Sequence, residues 1–263
     1  MPGYFGTHRQ MDLQARAEGA FQWMAQTPGA CNPGRFLGTD DPSRLGWNKI
    51  FEIMERDETF SFQLVRSDGL DEISRKLDER EYRIHFWDVF VATRSEAEAA
   101  ASSIVNEGLS SEFRIMTASE VCEPGNIQNI QSFLATHGIA PFSASMLAGE
   151  HGPATTVAIC NGAGDLSAVA HGYFPHNVHS PHHRNAWGGL VAVASDQRKK
   201  GLGKFVNARL IANCITELGA GMVHQFVAPS NTPSRKMVES SGLKLEPNLL
   251  CGLAVAENER FTR

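Results

Sequence analysis

The 263-residue chain predicts an α+β fold: a mixed, mostly antiparallel sheet flanked by helices. Three observations carry that expectation. First, 189–205 reads as strand, glycine-bearing basic loop and helix. Leu190, Val191, Ala192 and Val193 form a short apolar run, and Leu202, Val206, Leu210, Cys214 and Leu218 then recur at helical spacing. Second, the apolar runs 155–160 and 166–174 flank Asn161-Gly162, a strong hairpin signal. Third, 55–108 spells β-α-β-α.

The elements follow in order. The stretch 11–25 is helical, with Leu13, Ala17, Phe21 and Met24 recurring at three and four. Rich in Gly, Pro and Asp, 27–47 is a loop, and 49–56 reads equally as a short helix or a strand. The run 60–65 alternates like a strand. Next, 70–80 is a charged amphipathic helix with Ile73 and Leu77 inward, and 83–93 is a second strand. Ser95 caps an Ala- and Glu-rich helix ending at Gly108. The Gly108-Leu109-Ser110-Ser111 turn divides an N-terminal α+β subdomain, 1–110, from a C-terminal domain, 111–263.

In the second part 113–117 is a strand. The stretch 127–137 is a helix with Ile127, Ile130, Phe133 and Leu134 on one side, and 141–152 is a covering segment. The hairpin and the central strand and helix come next, and Gly219 stands where a left-handed residue ends a helix. Then 222–228 is a buried strand, Pro229-Ser-Asn-Thr-Pro a turn, and a helix from about 233 ends at Ser241-Gly242. The run 249–256 fits a further buried strand.

A net charge of −5 and a pI near 6.1 argue against a general nucleic-acid binder. Five scattered cysteines, with no Cys-x-x-Cys pair, suggest reduced thiols rather than a disulfide frame. The start lacks an apolar signal core, and no stretch approaches a membrane span. The expectation is a cytoplasmic protein without nucleic-acid or membrane partners.

Basic charge is instead local. Gly201 and Gly203 sit in the first turn of a helix, where bare backbone and unpaired N–H groups welcome an anion. Arg198, Lys199, Lys200 and Lys204 surround that point. Neither Gly-x-x-x-x-Gly-Lys-Ser/Thr nor Gly-x-Gly-x-x-Gly is present. What stands there, Arg198 to Gly203, is Arg-x-x-Gly-x-Gly. Placed after a Val-Ala-Val strand, it resembles the pyrophosphate loop of the GNAT N-acetyltransferase superfamily. A second match lies downstream, where the superfamily carries Asn, a small residue, usually Tyr, and Gly. Here those positions hold Asn231, Ser234, Val238 and Gly242, so Val238 is the departure. The resemblance covers about 110–263.

That resemblance implies a GNAT-type fold for 111–263, with 1–110 either a degenerate GNAT half or an unrelated α+β cap. It implies acetyl-CoA as co-substrate, its pantetheine arm lying between two splayed strands. Val191, Ala192 and Val193 would hold the arm, and Gly189 would mark a bulge that opens the wedge. A backbone N–H near Val191 would polarise the thioester carbonyl. Arg198, Lys199, Lys200, Gly201, Leu202, Gly203 and Lys204 would cradle the diphosphate. Asn231 would contact the cofactor arm, or else cap a helix.

The usual Tyr donates a proton to the departing thiolate, and Val238 cannot. Ser234, Ser240 and His224 are the candidate donors, His224 being preferred on acid–base grounds. His171, His176, His179, His182 and His183 cluster before the central strand. They read as a solvated loop, as the source of a base for the acceptor amine with His183 the candidate, or as a metal site that lacks acidic or Cys companions. Glu150 and His151 are further base candidates. The expected activity is N-acetylation of a small-molecule amine by direct attack in a ternary complex, without a metal and with a homodimer admitted. The alternative is a non-catalytic acyl-CoA-binding or sensing module.

Overall fold

The computed structural model describes residues 3–256. Helices α1 (His8–Gly19) and α2 (Phe21–Gln26) open the chain, followed by strands β1 (Ala30–Cys31) and β2 (Gly38–Thr39) and helices α3 (Pro42–Leu45) and α4 (Trp47–Asp57). Then come β3 (Thr59–Arg66), α5 (Leu70–Asp78), β4 (Tyr82–Thr93) and α6 (Arg94–Glu107), the expected β-α-β-α order. β5 (Phe113–Ile115), α7 (Ala118–Val121), α8 (Pro124–Thr136) and α9 (Ala144–Leu147) precede the hairpin β6 (Ala154–Asn161) and β7 (Leu166–Tyr173). β8 (Asn185–Val193), α10 (Leu202–Thr216), β9 (Met222–Val227), α11 (Thr232–Ser240) and β10 (Lys244–Ala256) complete it.

Local chemistry accounts for the boundaries that differ from the sequence reading. The single helix expected over 11–25 is two, because Ala20 leaves helical geometry at φ −96°, ψ 1°. The stretch 27–47 carries β1, β2 and α3, pinned where the Thr39 hydroxyl donates to the Gly29 carbonyl at 2.6 Å. The ambiguous 49–56 is helical within α4, which stops at the left-handed Glu58. α6 is capped by Thr93 rather than Ser95. The Thr93 hydroxyl accepts from the Glu96 N–H, and the Glu96 carboxylate accepts from the Thr93 N–H at 3.0 Å.

Among the described residues ten strands form one sheet, ordered β1-β2-β3-β10-β4-β9-β8-β7-β6-β5. Pairing is antiparallel except between β2 and β3 and between β8 and β9. β10 lies between β3 and β4, with Leu253 opposite Ser61 on one side and His85 on the other. β4 in turn joins β10 to β9. The turn after Gly108 therefore falls between α6 and β5 without separating two sheets.

Helices α6 and α10 cover one face, burying Val206, Leu210, Ile211 and Cys214 against Ala168, Ala170, Ala186 and Val223. α8 and α9 cover the other face of β6, β7 and β8, with Ile130, Leu134 and Met146 on Val169, Tyr173 and Leu190. A third core joins α2, α4 and α5 to β3 and β10. Each fully buried aliphatic side chain in these cores contributes about 1.5–3 kcal/mol. No helix among the described residues is long and apolar enough to cross a membrane.

Candidate active site

The site begins where two neighbouring strands stop pairing. β8 and β9 run side by side for Asn185–Met222, Ala186–Val223 and Trp187–His224 only. Beyond Trp187, β8 stays with β7 while β9 continues along β4. A bulge in β8 accompanies the split. Val169 faces Ala192 but His171 faces Gly189, so Ala170 opposes both Leu190 and Val191. Leu190 takes a left-handed φ of 51° to make it. The bulge is thus centred on Leu190, one residue past the expected Gly189. Gly189 is small for another reason: a Cβ there would lie 2.2 Å from Trp187 Cζ2.

A buried polar chain fixes the second wall. Gln225, the first β9 residue past the split, donates from Nε2 to Asn207 Oδ1 of α10 at 2.7 Å. Asn207 Nδ2 donates to the Ser241 hydroxyl at 3.1 Å, beside the end of α11. These bonds tie β9 to the two helices rather than to β8. Gln225 Oε1 remains buried without a donor at the apex of the split.

The free edge of β8 offers backbone groups. Ala194 N–H donates to the Ser167 carbonyl at 2.9 Å and Ala192 is in register with Val169. Antiparallel alternation therefore points the amide and carbonyl of Val193, and of Val191, toward the parted side.

At the mouth of the split lies a 400 Å³ cleft walled by Val191 to Val193, the loop with Arg198 and Lys199, the turn Gly201 to Lys204, and Ser234 and Met237 of α11. Gly201 caps α10 in the left-handed conformation at φ 81° and supplies no side-chain acceptor. The first N–H groups of this 15-residue helix thus have no intrahelical partner, and its dipole favours an anion there. Arg198 and Lys199 are exposed and make no ion pair among the described residues. Lys200 and Lys204 are engaged with Glu112 and Glu107, at 3.3 and 3.8 Å. A Cβ on Gly203 would meet no protein atom closer than Val193 Cγ2, at 3.5 Å. The protein's own packing tolerates a methyl there, so the space that glycine leaves belongs to the cleft. Free cations, unpaired N–H groups and an open strand edge together fit a diphosphate with an amide-bearing arm.

Other expected residues stand elsewhere. Asn231 is outside the cleft and caps α11, accepting from the Ser234 N–H at 3.2 Å. Ser234 lines the cleft, whereas Ser240 donates to the Met237 carbonyl at 2.7 Å on the exposed side. Val238 is only 1% exposed and belongs to the core. His183 is exposed in the loop before β8, its Nδ1 3.0 Å from the Ser180 carbonyl, at the opposite end of β8 from the basic loop. His224 is fully buried against His176 and Phe226, with neither ring nitrogen partnered. Burial, then the nearby His176 and His182, push its pKa well below the usual value, so it is held neutral and faces neither cleft. Glu150 and His151 also lie off both clefts, His151 beside Glu18 at 3.5 Å.

The histidine group is largely internal scaffolding. His171 is buried with Nδ1 2.8 Å from the Thr156 hydroxyl, and burial pushes its pKa down to about 3. His176 Nδ1 is 2.7 Å from Asp40 Oδ2 with both side chains buried. Burial raises the Asp40 pKa, but the bond and charge of His176 outweigh it and leave the carboxyl below its ordinary range.

Two features have no precedent in the sequence reading. His137, just past α8, lines the first cleft with its ring on Phe133 and Nδ1 2.7 Å from the Phe133 carbonyl oxygen. On the opposite side of the parted strands lies a second cleft of 540 Å³, bounded by Arg35, Gln63, Trp87, Phe142, Trp187 and Phe226. Ile139 borders both clefts, and Leu190 of the bulge borders the second.

No family model matches this chain, and no curated protein matches it. Solved structures do. A Drosophila protein from a structural genomics programme superposes with a TM-score of 0.57 at 13% identity, over 96% of this chain and 90% of that one. A GCN5-related N-acetyltransferase from Kribbella flavida gives 0.55 at 12% identity, over 95% and 97%. A tandem GNAT protein from the clavulanic acid biosynthesis pathway gives 0.50 at 10% identity, over 85% and 76%. At such identities the likeness defines the fold, which is that of the GCN5-related N-acetyltransferases.

Proposed function

We propose that this chain is an acetyl-CoA-dependent N-acetyltransferase acting on a small amine. The observation that carries the reading is the parting of β8 from β9 beside a basic helix start. The diphosphate of the co-substrate sits at the first N–H groups of α10 near Arg198 and Lys199. Its arm pairs with the free edge of Val191 and Val193, and its thioester reaches the border between the clefts. The amine enters from the second cleft. Its nitrogen attacks the thioester carbonyl carbon, the C–N bond forms and the C–S bond breaks. The amine proton leaves with a base, and the thiolate departs or takes a proton. The Val191 N–H is the oxyanion donor. Among the expected donors Ser234 alone lines the cleft, and an unactivated hydroxyl is a poor acid. His137, with Nδ1 bonded to Phe133, presents the other ring nitrogen for proton transfer.

A second reading, an acyl-CoA-binding module without turnover, draws support from Val238, since the usual proton donor is replaced by a core aliphatic. Calorimetric titration with CoA, and thiol release from acetyl-CoA across a panel of amines, separate the two. We expect micromolar CoA binding, weakened about tenfold or more by Arg198→Glu and by Gly203→Val. Saturable binding with no thiol release on any amine selects the module. No binding at about millimolar CoA, with Arg198→Glu indistinguishable from wild type, ends both readings.

A further inference from the structure

The second cleft carries chemistry of its own. Its walls are aromatic: Phe36, Trp87, Phe142, Trp187 and Phe226. Among these rings and the polar Gln10, Ser61 and Gln63 the chain places one cation, Arg35. Its guanidinium stands over the Phe142 and Phe36 rings, 5.5 and 5.9 Å from their centroids, and one N–H donates to the Ala140 carbonyl. No Asp or Glu lines the cleft, and no carboxylate pairs with Arg35 among the described residues. A guanidinium offers five N–H donors, so most of the fork is left for a ligand. Taking such a charge out of water without a counter-ion costs several kcal/mol, which a bound anion offsets. Burial accordingly pushes the Arg35 pKa below its ordinary value.

Polar groups without partners line the same walls. Gln63 is 6% exposed and its Oε1 is buried with no donor. Trp187 Nε1 is buried with no acceptor. Orphaned buried groups of this kind are uncommon in native proteins, and here they border a cavity large enough for a ligand. The cleft meets the first one at Ile139, which borders both, with Leu190 of the bulge beside it on the second.

Resting on the acetyltransferase reading, we propose that the acceptor is an amino carboxylate with an aromatic or large aliphatic body. Its carboxylate forks onto Arg35, its body stacks among Trp87, Phe142 and Phe226, and its amine points to the Ile139 border. Much of this recognition comes from the N-terminal part, which supplies Arg35, Phe36, Gln63 and Trp87. That part thereby has a role in choosing the acceptor.

L-phenylalanine and phenethylamine, which share a body and an amine and differ by the carboxylate, test this. Acetyl transfer to the two is compared in the wild type, Arg35→Met and Arg35→Lys, with thermal denaturation confirming that each variant folds. The wild type is expected to favour L-phenylalanine by about tenfold or more in kcat/KM. Arg35→Met should erase the preference by lowering kcat/KM for L-phenylalanine about tenfold more than for phenethylamine, and Arg35→Lys should restore part of it. Equal use of the two amines by the wild type, or an undiminished preference in Arg35→Met, overturns the proposal and leaves the acetyltransferase reading intact. A second measurement does not depend on turnover. Quenching of tryptophan fluorescence by L-phenylalanine, with CoA present, reads occupancy beside Trp87 and Trp187. Saturable binding lost in Arg35→Met supports the carboxylate site even if no acetyl group moves. Absence of saturable binding at about 10 mM in the wild type removes it.

Discussion

At the scale of single residues, the buried imidazoles make stability depend on pH. Burial lowers the folded-state pKa of His171 to about 3 and depresses those of His182 and His224 as well. An unfolded histidine titrates near 6.5. Between those values the unfolded state binds more protons, so stability is full above about 6.5 and falls as the pH drops. At about 1.4 kcal/mol per pH unit for each group, His171 alone accounts for on the order of 2 kcal/mol between pH 6.5 and pH 5. Denaturant titrations at pH 7 and pH 5 should show that loss. The loss should shrink in His171→Leu, whatever that variant's stability at pH 7. An identical pH dependence in His171→Leu would show that the ring is not held neutral in the folded protein.

These same histidines mark where the sequence misleads. A run of imidazoles before the central strand reads as chemistry because spacing alone cannot report burial. His171, His176 and His224 point into packed interior, and their period along the chain carries no trace of that. Arg35 shows the converse. It sat in a Gly- and Pro-rich stretch that reads as loop, although a lone cation between Gly34 and the apolar pair Phe36-Leu37 was a visible anomaly.

At the scale of elements, the decisive unit is β8, whose bulge bends one strand away from the next. Leu190 holds a left-handed backbone that costs an L-residue about 1–2 kcal/mol, while its side chain is 7% exposed. Both Leu190→Ala and Leu190→Gly lose that packing, but only glycine also loses the backbone strain. Glycine in a strand ordinarily sits about 0.5–1 kcal/mol below alanine. Here the order should reverse, with Leu190→Gly the more stable variant by about 1 kcal/mol in chemical denaturation. Should alanine prove the more stable, the bulge is not left-handed at Leu190.

Elements were also the most legible level of the sequence. The strand–loop–helix around the basic turn, the Asn161-Gly162 hairpin and the β-α-β-α order of the first part all stand where periodicity and turn chemistry put them. The first cleft was legible because 191–204 is one continuous stretch holding a strand edge, cations and a helix start. The second cleft was not, because its walls come from eight separate parts of the chain, from Phe5 to Leu253. No local pattern encodes which distant segments meet.

At the scale of the whole molecule, the sheet order determines how the chain unfolds. β10 pairs with β3 over Thr59–Arg66 and with β4 between Tyr82 and Val91, and β4 also pairs with β9. Neither part can loosen its strands without exposing edges of the other. We expect one cooperative unfolding transition, coincident whether followed by far-ultraviolet circular dichroism or by tryptophan fluorescence, to which Trp23, Trp47 and Trp87 contribute from the first part and Trp187 from the second. Two resolved transitions would instead mark two independently folding units.

The position of β10 has a consequence for how the protein is made. A ribosome releases β3 and β4 more than a hundred codons before the strand that fills the slot between them. Throughout that interval both strands present bare hydrogen-bonding edges and the apolar faces of Phe60, Phe62 and Phe90. Termination of the chain before Leu249 would leave β3 and β4 without most of the strand that joins them.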